Sequence, residues 1–274
     1  MTDVSAELVN ELVQSGLDRR EARWLVEEFA PGGSEWTPAL RRAAERRRGG
    51  EPLQYVLGHW PFRSLDLDVD ERVLIPRPET EELVDVALAE LAARAVTAPT
   101  IVDLGCGSGA IGLSLLVELQ ARGVAATLVA VDESSDALTL ARANAAKHDL
   151  HTVFFVHSTW FKSIDPALRA RVDLIVANPP YVALDEIDNL DPVLGYEPRG
   201  ALVAPDALGV GGFGDLAVII EESPSWLTAR GALVVEHGEG HREAALRAAS
   251  SAGFVDVRDL DDQAGRPRVL VARR

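Results

Sequence analysis

The segment DLIVANPPYVALDE, Asp173 to Glu186, runs an apolar stretch into Asn178-Pro179-Pro180-Tyr181. A residue before proline is pushed into the extended region, so the backbone is stiff at Asn178 and at Pro179. Neither proline has an N–H. The stretch therefore offers carbonyl acceptors with few competing donors. That pattern suits a substrate carrying a planar –NH2 group, a poor nucleophile because its lone pair is delocalised. The Asn178 side-chain oxygen and the Pro179 carbonyl are placed to hold its hydrogens, and Tyr181 to pack on its flat face. Such catalysis rests on orientation and matched electrostatics rather than on a strong base. Asn-Pro is also a common turn signal, so the segment gains its meaning from what accompanies it.

Its company is VDLGCGSGAIG, Val102 to Gly112. Gly105, Gly107 and Gly109 follow an apolar run that ends at Leu104. Glycine there permits unusual dihedrals and lets a ligand approach the backbone. Residues 107–112 match the dinucleotide pattern G-x-G-x-x-G, and Asp132 stands about 20 residues on, where an acid would take a ribose hydroxyl. A nicotinamide cofactor fits that much, and so does any other adenosine cofactor. Two features weigh against nicotinamide. Gly107 comes after an extra Gly105-Cys106 pair, and Asp103 lies at the strand end, where an acid suits an amino-bearing ligand better than a pyrophosphate. Cys106 reads as a small residue of the turn rather than a nucleophile, since no histidine lies near it in sequence.

These residues need a scaffold that brings strand ends together. From Thr100 the sequence alternates apolar strands with amphipathic helices. The strands are IVDLG, TLVAVD, TVFFV, VDLIVAN, GALVVEH, VDVRDL and RVLVAR. Helices are expected near residues 109–121, 135–148, 214–228 and 240–252. The alternation predicts an α/β fold with a mostly parallel sheet covered on both faces, and the last two strands predict an antiparallel hairpin at its edge. In open parallel sheets ligands bind at the carboxyl ends of the strands, which places residues 105–109, Asp132 and residues 178–181 on one edge.

Upstream, residues 1–58 read as helical from the spacing of Leu8, Leu12 and Val13, and of Trp24, Leu25 and Phe29. Pro31-Gly32-Gly33-Ser34 breaks that stretch. The Arg46-Arg47-Arg48 run reads as a solvated helix end, or as a patch for an acidic partner. Residues 59–75 alternate near Leu65, Leu67 and Val69 and predict a β-hairpin linker. Residues 76–274 then form the main domain, entered by a helix with Pro78 in its first turn and the acidic Glu79, Glu81 and Glu82 at its positive end.

The 274 residues carry 43 Asp plus Glu against 27 Lys plus Arg, a formal charge of −16. A chain this acidic gains nothing from phosphate electrostatics, and no direct nucleic-acid partner is expected. With one cysteine, an intrachain disulfide is excluded. MTDVSAELVN has no basic start followed by an apolar run, so no signal peptide is expected. No apolar run approaches the ~20 residues of a membrane span. A cytoplasmic protein is expected.

Asp103 to Gly109 resembles the first motif of class I methyltransferases, which use S-adenosylmethionine. Asn178-Pro179-Pro180-Tyr181 is similar to the motif of amino methyltransferases acting on glutamine amides or adenine. Residues 52–58 (PLQYVLG) and 75–81 (IPRPETE), with Glu197-Pro198, Glu236-His237-Gly238 and Gly265 to Val269, resemble the release factor glutamine methyltransferases. The resemblance implies a Rossmann-like class I methyltransferase domain with a seven-stranded sheet, behind a small helical substrate-recognition domain and a β-hairpin. It implies methylation of the glutamine in the Gly-Gly-Gln motif of class 1 release factors. By motif, Asp103, Gly105, Cys106, Gly107, Ser108, Gly109, Asp132, Trp160 and Asn178 would hold the cofactor, with Trp160 beside its adenine. Asn178, Pro179, Pro180 and Tyr181 would hold the glutamine. Thr159 stands where the family often has Asp, and residues 204–212 lack its usual glycine-rich form.

Other readings remain at this level: a ribosomal-protein glutamine as target, an adenine base, a cofactor-binding adaptor without activity, or a nicotinamide reductase. Glu236 reads equally as a substrate contact or a helix cap, and Glu197 as a cleft acid or a loop acid. His59, His237 and His241 match no zinc spacing, and no metal site is expected.

Overall fold

A computed structural model describes residues 4–33 and 35–274. Met1 to Asp3 of the N-terminal stretch and Ser34 of the predicted break lie outside the described residues.

Three helices, α1 (Val4–Gln14), α2 (Arg19–Phe29) and α3 (Pro38–Arg48), and the short α4 (Leu53–Leu57) pack around Leu8, Leu12, Leu25 and Leu40. Asp18 and Thr37 cap α2 and α3 by accepting backbone N–H groups. The arginine run ends α3, as its sequence implied, but two of its members are paired. Arg46 binds Glu51 and donates to the Tyr55 carbonyl, and Arg47 binds Glu21 at 2.9 Å. They fasten helix ends within this bundle.

The hairpin β1 (His59–Phe62) and β2 (Leu65–Asp68) follows. It is clamped to the main domain by Lys147, which reaches Asp66 and Asp68 at 2.9 and 2.7 Å, and by Asn144, which accepts from the Asp68 N–H. Residues 69–79 then run without regular structure to α5 (Thr80–Ala93).

The main domain continues as β3 (Thr100–Leu104), α6 (Ala110–Ala121), β4 (Thr127–Asp132), α7 (Ser135–Lys147), β5 (Val153–His157), β6 (Val172–Ala177), α8 (Gly214–Glu222), β7 (Leu227–Glu236), α9 (Arg242–Ser251), β8 (Asp256–Asp261) and β9 (Pro267–Arg273). The strand order is β5-β4-β3-β6-β7-β9-β8. The first five are parallel, and β9 is antiparallel to both neighbours. One apolar cluster packs α5 and α6 on one face of the sheet, and a second packs α8 and α9 on the other.

Two expectations shift. The helix from residue 214 stops at Glu222, because Pro224 lacks the N–H a further turn requires, and β7 starts earlier than Gly231. The last hairpin forms, but β9 inserts between β7 and β8. Its apolar run Val269 to Ala272 needs cover on both faces, whereas DVRDLD tolerates the edge.

Candidate active site

The chain reverses direction across the sheet at β3, which pairs with β4 on one side and β6 on the other. Such a switch point leaves a crevice outside the carboxyl ends of the strands. A cavity of ≈ 260 Å³ opens there. Its lining includes Gly105, Cys106, Gly107, Ser108, Asp132, Trp160, Asn178 and Pro180. Four expected residues do not line it: Asp103, Gly109, Pro179 and Tyr181.

The glycine loop is built by backbone geometry. Gly105, Gly107 and Gly109 take φ of +69°, +53° and +87°. A Cβ on Gly105 would sit 3.4 Å from the Trp160 ring, so that glycine keeps a narrow slot open beside the indole. Trp160 itself holds a left-handed φ of +48°, a conformation costly for an aromatic residue and frequent at functional sites. Its indole N–H donates to Asp215 at 3.1 Å, and Asp215 also faces the cavity. Burial pushes the Asp215 carboxyl up, against the hydrogen bond from Trp160.

Asp132 ends β4 and ties the loop together. Oδ2 accepts from the Gly107 N–H and Oδ1 from the Ser134 N–H, both at 2.8 Å. A carboxylate has about four acceptor positions, so some remain for hydroxyls of a bound ribose. Burial raises its pKa and those N–H bonds oppose the rise.

Asp103 departs from its expected role. It is wholly buried, its Oδ2 accepts from the Gly112 N–H at 2.9 Å, and its Oδ1 has no hydrogen-bond partner. Desolvation pushes its pKa up to about 7. It fixes the start of α6 from beneath the loop. The Cys106 thiol is buried and pushed well up by desolvation and by Asp103 and Asp132, so it carries no thiolate character.

Asn178 directly follows β6 at the opposite wall. Its Nδ2 donates to Thr80 Oγ1 at 3.2 Å, and Thr80 Oγ1 donates to Glu236 Oε2 at 2.7 Å. Glu236 is therefore neither a cavity residue nor a helix cap. It is fully buried beneath Thr80, and desolvation raises its pKa to about 7. Tyr181 turns its ring away from the cavity towards Gly238, with the Arg268 guanidinium 5.9 Å from the ring centre. Residues 204–212 form a loop, and a Cβ on Gly212 would run into the Tyr181 carbonyl, so this glycine lets the loop back the Asn-Pro-Pro-Tyr turn.

Sequence reasoning missed the third wall, the segment after the hairpin. Arg72, Val73, Leu74, Pro76, Arg77 and Thr80 all line the cavity. Arg77 pairs with Glu197 at 2.6 Å, and Glu197 also accepts from the Ile75 N–H at 3.2 Å. Glu197 is thus a buried tie between two walls. Only the PRPETE composition near a helix start could have pointed to Thr80.

The histidines are structural. His59 meets Asp66 at 2.6 Å, His237 meets Asp259 at 2.5 Å and His241 meets the Gly211 carbonyl at 3.0 Å. Among the described residues no group of three or more His, Cys, Asp or Glu could hold a metal, and no helix is long and apolar enough to cross a membrane.

Residues 82–190 match the methyltransferase small domain. The chain is 39% identical over 242 residues to the release factor glutamine methyltransferase of Pasteurella multocida, covering 85% of this chain and 78% of that one. It is 35% identical over 280 residues to the Salmonella typhimurium protein of the same name, covering 97% and 96%. In fold it is similar to the 16S rRNA N2 G1207 methyltransferase of T. thermophilus, at TM-score 0.54 and 17% identity, over 79% of this chain and 49% of that one.

Proposed function

This chain belongs to the release factor glutamine methyltransferase family, and we propose that it transfers a methyl group from S-adenosylmethionine to a glutamine side-chain amide of a peptide chain release factor. The acceptor we infer is the glutamine of the Gly-Gly-Gln motif of class 1 release factors, in the cytoplasm, with no nucleic acid bound directly. The observation that carries this reading is Asn178, whose side chain stands in the same cavity as residues 105–108 and Asp132.

The donor set suits the cofactor. Asp132 keeps acceptors for ribose hydroxyls, and the slot beside Gly105 and Trp160 is flat and apolar enough for a purine. Asp215, held by the Trp160 indole, adds a carboxylate for an amino group in the cavity that Thr159 also lines. S-adenosylmethionine supplies a sulfonium methyl that is already activated. The protein has to hold the acceptor nitrogen. Asn178 Oδ1 accepts one of its hydrogens from the cavity wall, and the role assigned to the Pro179 carbonyl, whose residue does not line the cavity, is to accept the other once substrate is seated, which fixes the amide and turns lone-pair density out of the amide plane towards the methyl. Pro180 stiffens that turn and Tyr181 closes it from behind. The helical bundle, residues 1–58, is the part we assign to recognition of the release factor, with residues 59–75 as linker and 76–274 as catalytic domain.

The test mixes the protein, S-adenosylmethionine and unmethylated release factor and maps the product by peptide mass spectrometry. A methyl group on the Gly-Gly-Gln glutamine is expected. Cofactor binding with no methyl there would overturn the assigned target.

A further inference from the structure

A threonine beginning a helix usually caps it. Thr80 does not. Its hydroxyl leaves the helix end and spans Asn178 and Glu236, in a place where it is only 4% exposed. A hydroxyl has one proton and two lone pairs. Above about pH 7, the value to which burial raises the Glu236 pKa, that carboxylate is ionised and can only accept, so the proton goes to it, 2.7 Å away. What remains for Asn178 is a lone pair, so Asn178 must present its –NH2 to Thr80. The other fork of the planar amide, Oδ1, is then left for the cavity that Asn178 lines. Oδ1 is the fork an acceptor amide needs. With the amide reversed, two –NH2 groups would face each other and the substrate would lose its hold.

Resting on the methyl-transfer reading above, we propose that Thr80 and Glu236 are positioning residues: the chain Glu236 Oε2, Thr80 Oγ1, Asn178 Nδ2 fixes which end of the Asn178 amide meets the substrate. The polarity of the chain is set at its buried end. Glu236 lies at the end of β7, wholly inaccessible, and takes no other hydrogen bond among the described residues, since its Oε1 is unpartnered. Its attachment to the reaction therefore runs through Thr80 alone. The three residues come from α5, β6 and β7, so the packing of those elements, rather than a local turn, holds the asparagine.

The test uses the full chain with S-adenosylmethionine and release factor at about pH 8, where Glu236 is ionised. Thr80→Val keeps the shape and removes the hydroxyl. It should lower kcat about tenfold or more, in the range that misplacing a reacting group produces, with the Kd for S-adenosylmethionine unchanged. Thr80→Ser restores the hydroxyl and should restore kcat to within about threefold of wild type. Glu236→Leu removes the acceptor, which frees the hydroxyl proton for Asn178 Oδ1, and should lower kcat as Thr80→Val does, whereas Glu236→Gln keeps an oxygen that can accept from Thr80 and should stay closer to wild type. The Glu236 pair also decides the matter if Thr80→Val fails to fold. Side-chain amide exchange of Asn178, followed by NMR on the 15N-labelled protein, should be slowed in wild type and Thr80→Ser and fast in Thr80→Val. Equal losses in Thr80→Ser and Thr80→Val, or Asn178 exchange indifferent to the hydroxyl, would overturn the proposal. A wild-type protein that methylates no release factor refutes the functional reading instead, and the exchange measurement still decides the hydrogen-bond chain.

Discussion

Arg77 Nη2 and Glu197 Oε1 stand 2.6 Å apart and join the segment after the hairpin to the turn before Pro198. The Glu197 side chain is 2% exposed and that of Arg77 is 27% exposed. The pair closes one side of the cavity, because Arg77 and Pro198 both line it.

Glu197→Ala should therefore loosen the wall. Removing one partner of a buried pair typically costs roughly 3–5 kcal/mol, mostly from the charge left behind. Here Arg77 can turn to water, so a loss of about 2 kcal/mol is expected, read as a lower urea midpoint at unchanged slope. The Ile75 N–H also loses its acceptor. KM for the release factor should rise as the wall becomes mobile, and an unchanged midpoint together with an unchanged KM would remove the tie from the account.

Asp132 and Asn178 should separate binding from turnover. Asp132→Ala strips the acceptor from the Gly107 and Ser134 N–H groups as well as from the ribose. Calorimetry should show S-adenosylmethionine binding weakened about tenfold or more, the effect of losing one to two charge-assisted hydrogen bonds. Asn178→Ala removes the acceptor for the substrate nitrogen and leaves the loop intact. Its kcat should fall about a hundredfold while cofactor affinity stays near wild type. Near-normal turnover in Asn178→Ala would contradict the role given to the motif.

Gly112 tests the packing beneath the loop. A Cβ there would lie 2.7 Å from Leu128 Cδ2 and 2.8 Å from Asp103 Oδ2. Neither can retreat far, since both residues are wholly buried. Gly112→Ala should lower stability by about 1–3 kcal/mol through overpacking, despite the higher helix propensity of alanine. A rise in Tm would mean that the propensity gain outweighs the clash.

Legibility of the fold in the sequence followed the reach of each signal. The parallel sheet was readable because four of its parallel strands, β3, β4, β6 and β7, are largely buried and write continuous apolar runs, such as LIVA at 174–177. The glycine loop, Asp132 and Asn178 were readable because their types and spacing are local. The cavity wall at residues 72–77 was not, since Arg72 and Arg77 look like any charged residues until the chain folds back over β3 and β6. The place of Asp103 at the strand end suggests a contact to an amino-bearing ligand, but in β3 its side chain turns beneath the loop to Gly112. The Glu236–Thr80 contact spans 156 positions and has no sequence period at all.

Asp103 makes the last prediction, one of pH and sign. Its carboxyl ionises near the ordinary 3.8 when unfolded and at about 7 when folded, because burial disfavours the charge. Below the unfolded value both states are protonated and the group costs nothing. As pH rises towards 7 the unfolded chain loses its proton while the folded chain keeps it, so the unfolded state is favoured progressively. Above the folded value both are ionised and the penalty is constant. Asp103→Asn has no such titration, and its side-chain oxygen can still accept from Gly112. The stability of the variant relative to wild type should therefore climb between about pH 4 and pH 7 and then level off. At about 1.4 kcal/mol per pKa unit, the climb should approach 4 kcal/mol. Urea titrations of both proteins at pH 4.5, 6 and 8 would measure it, and a flat difference would mean that Asp103 is solvated or ionised in the folded protein.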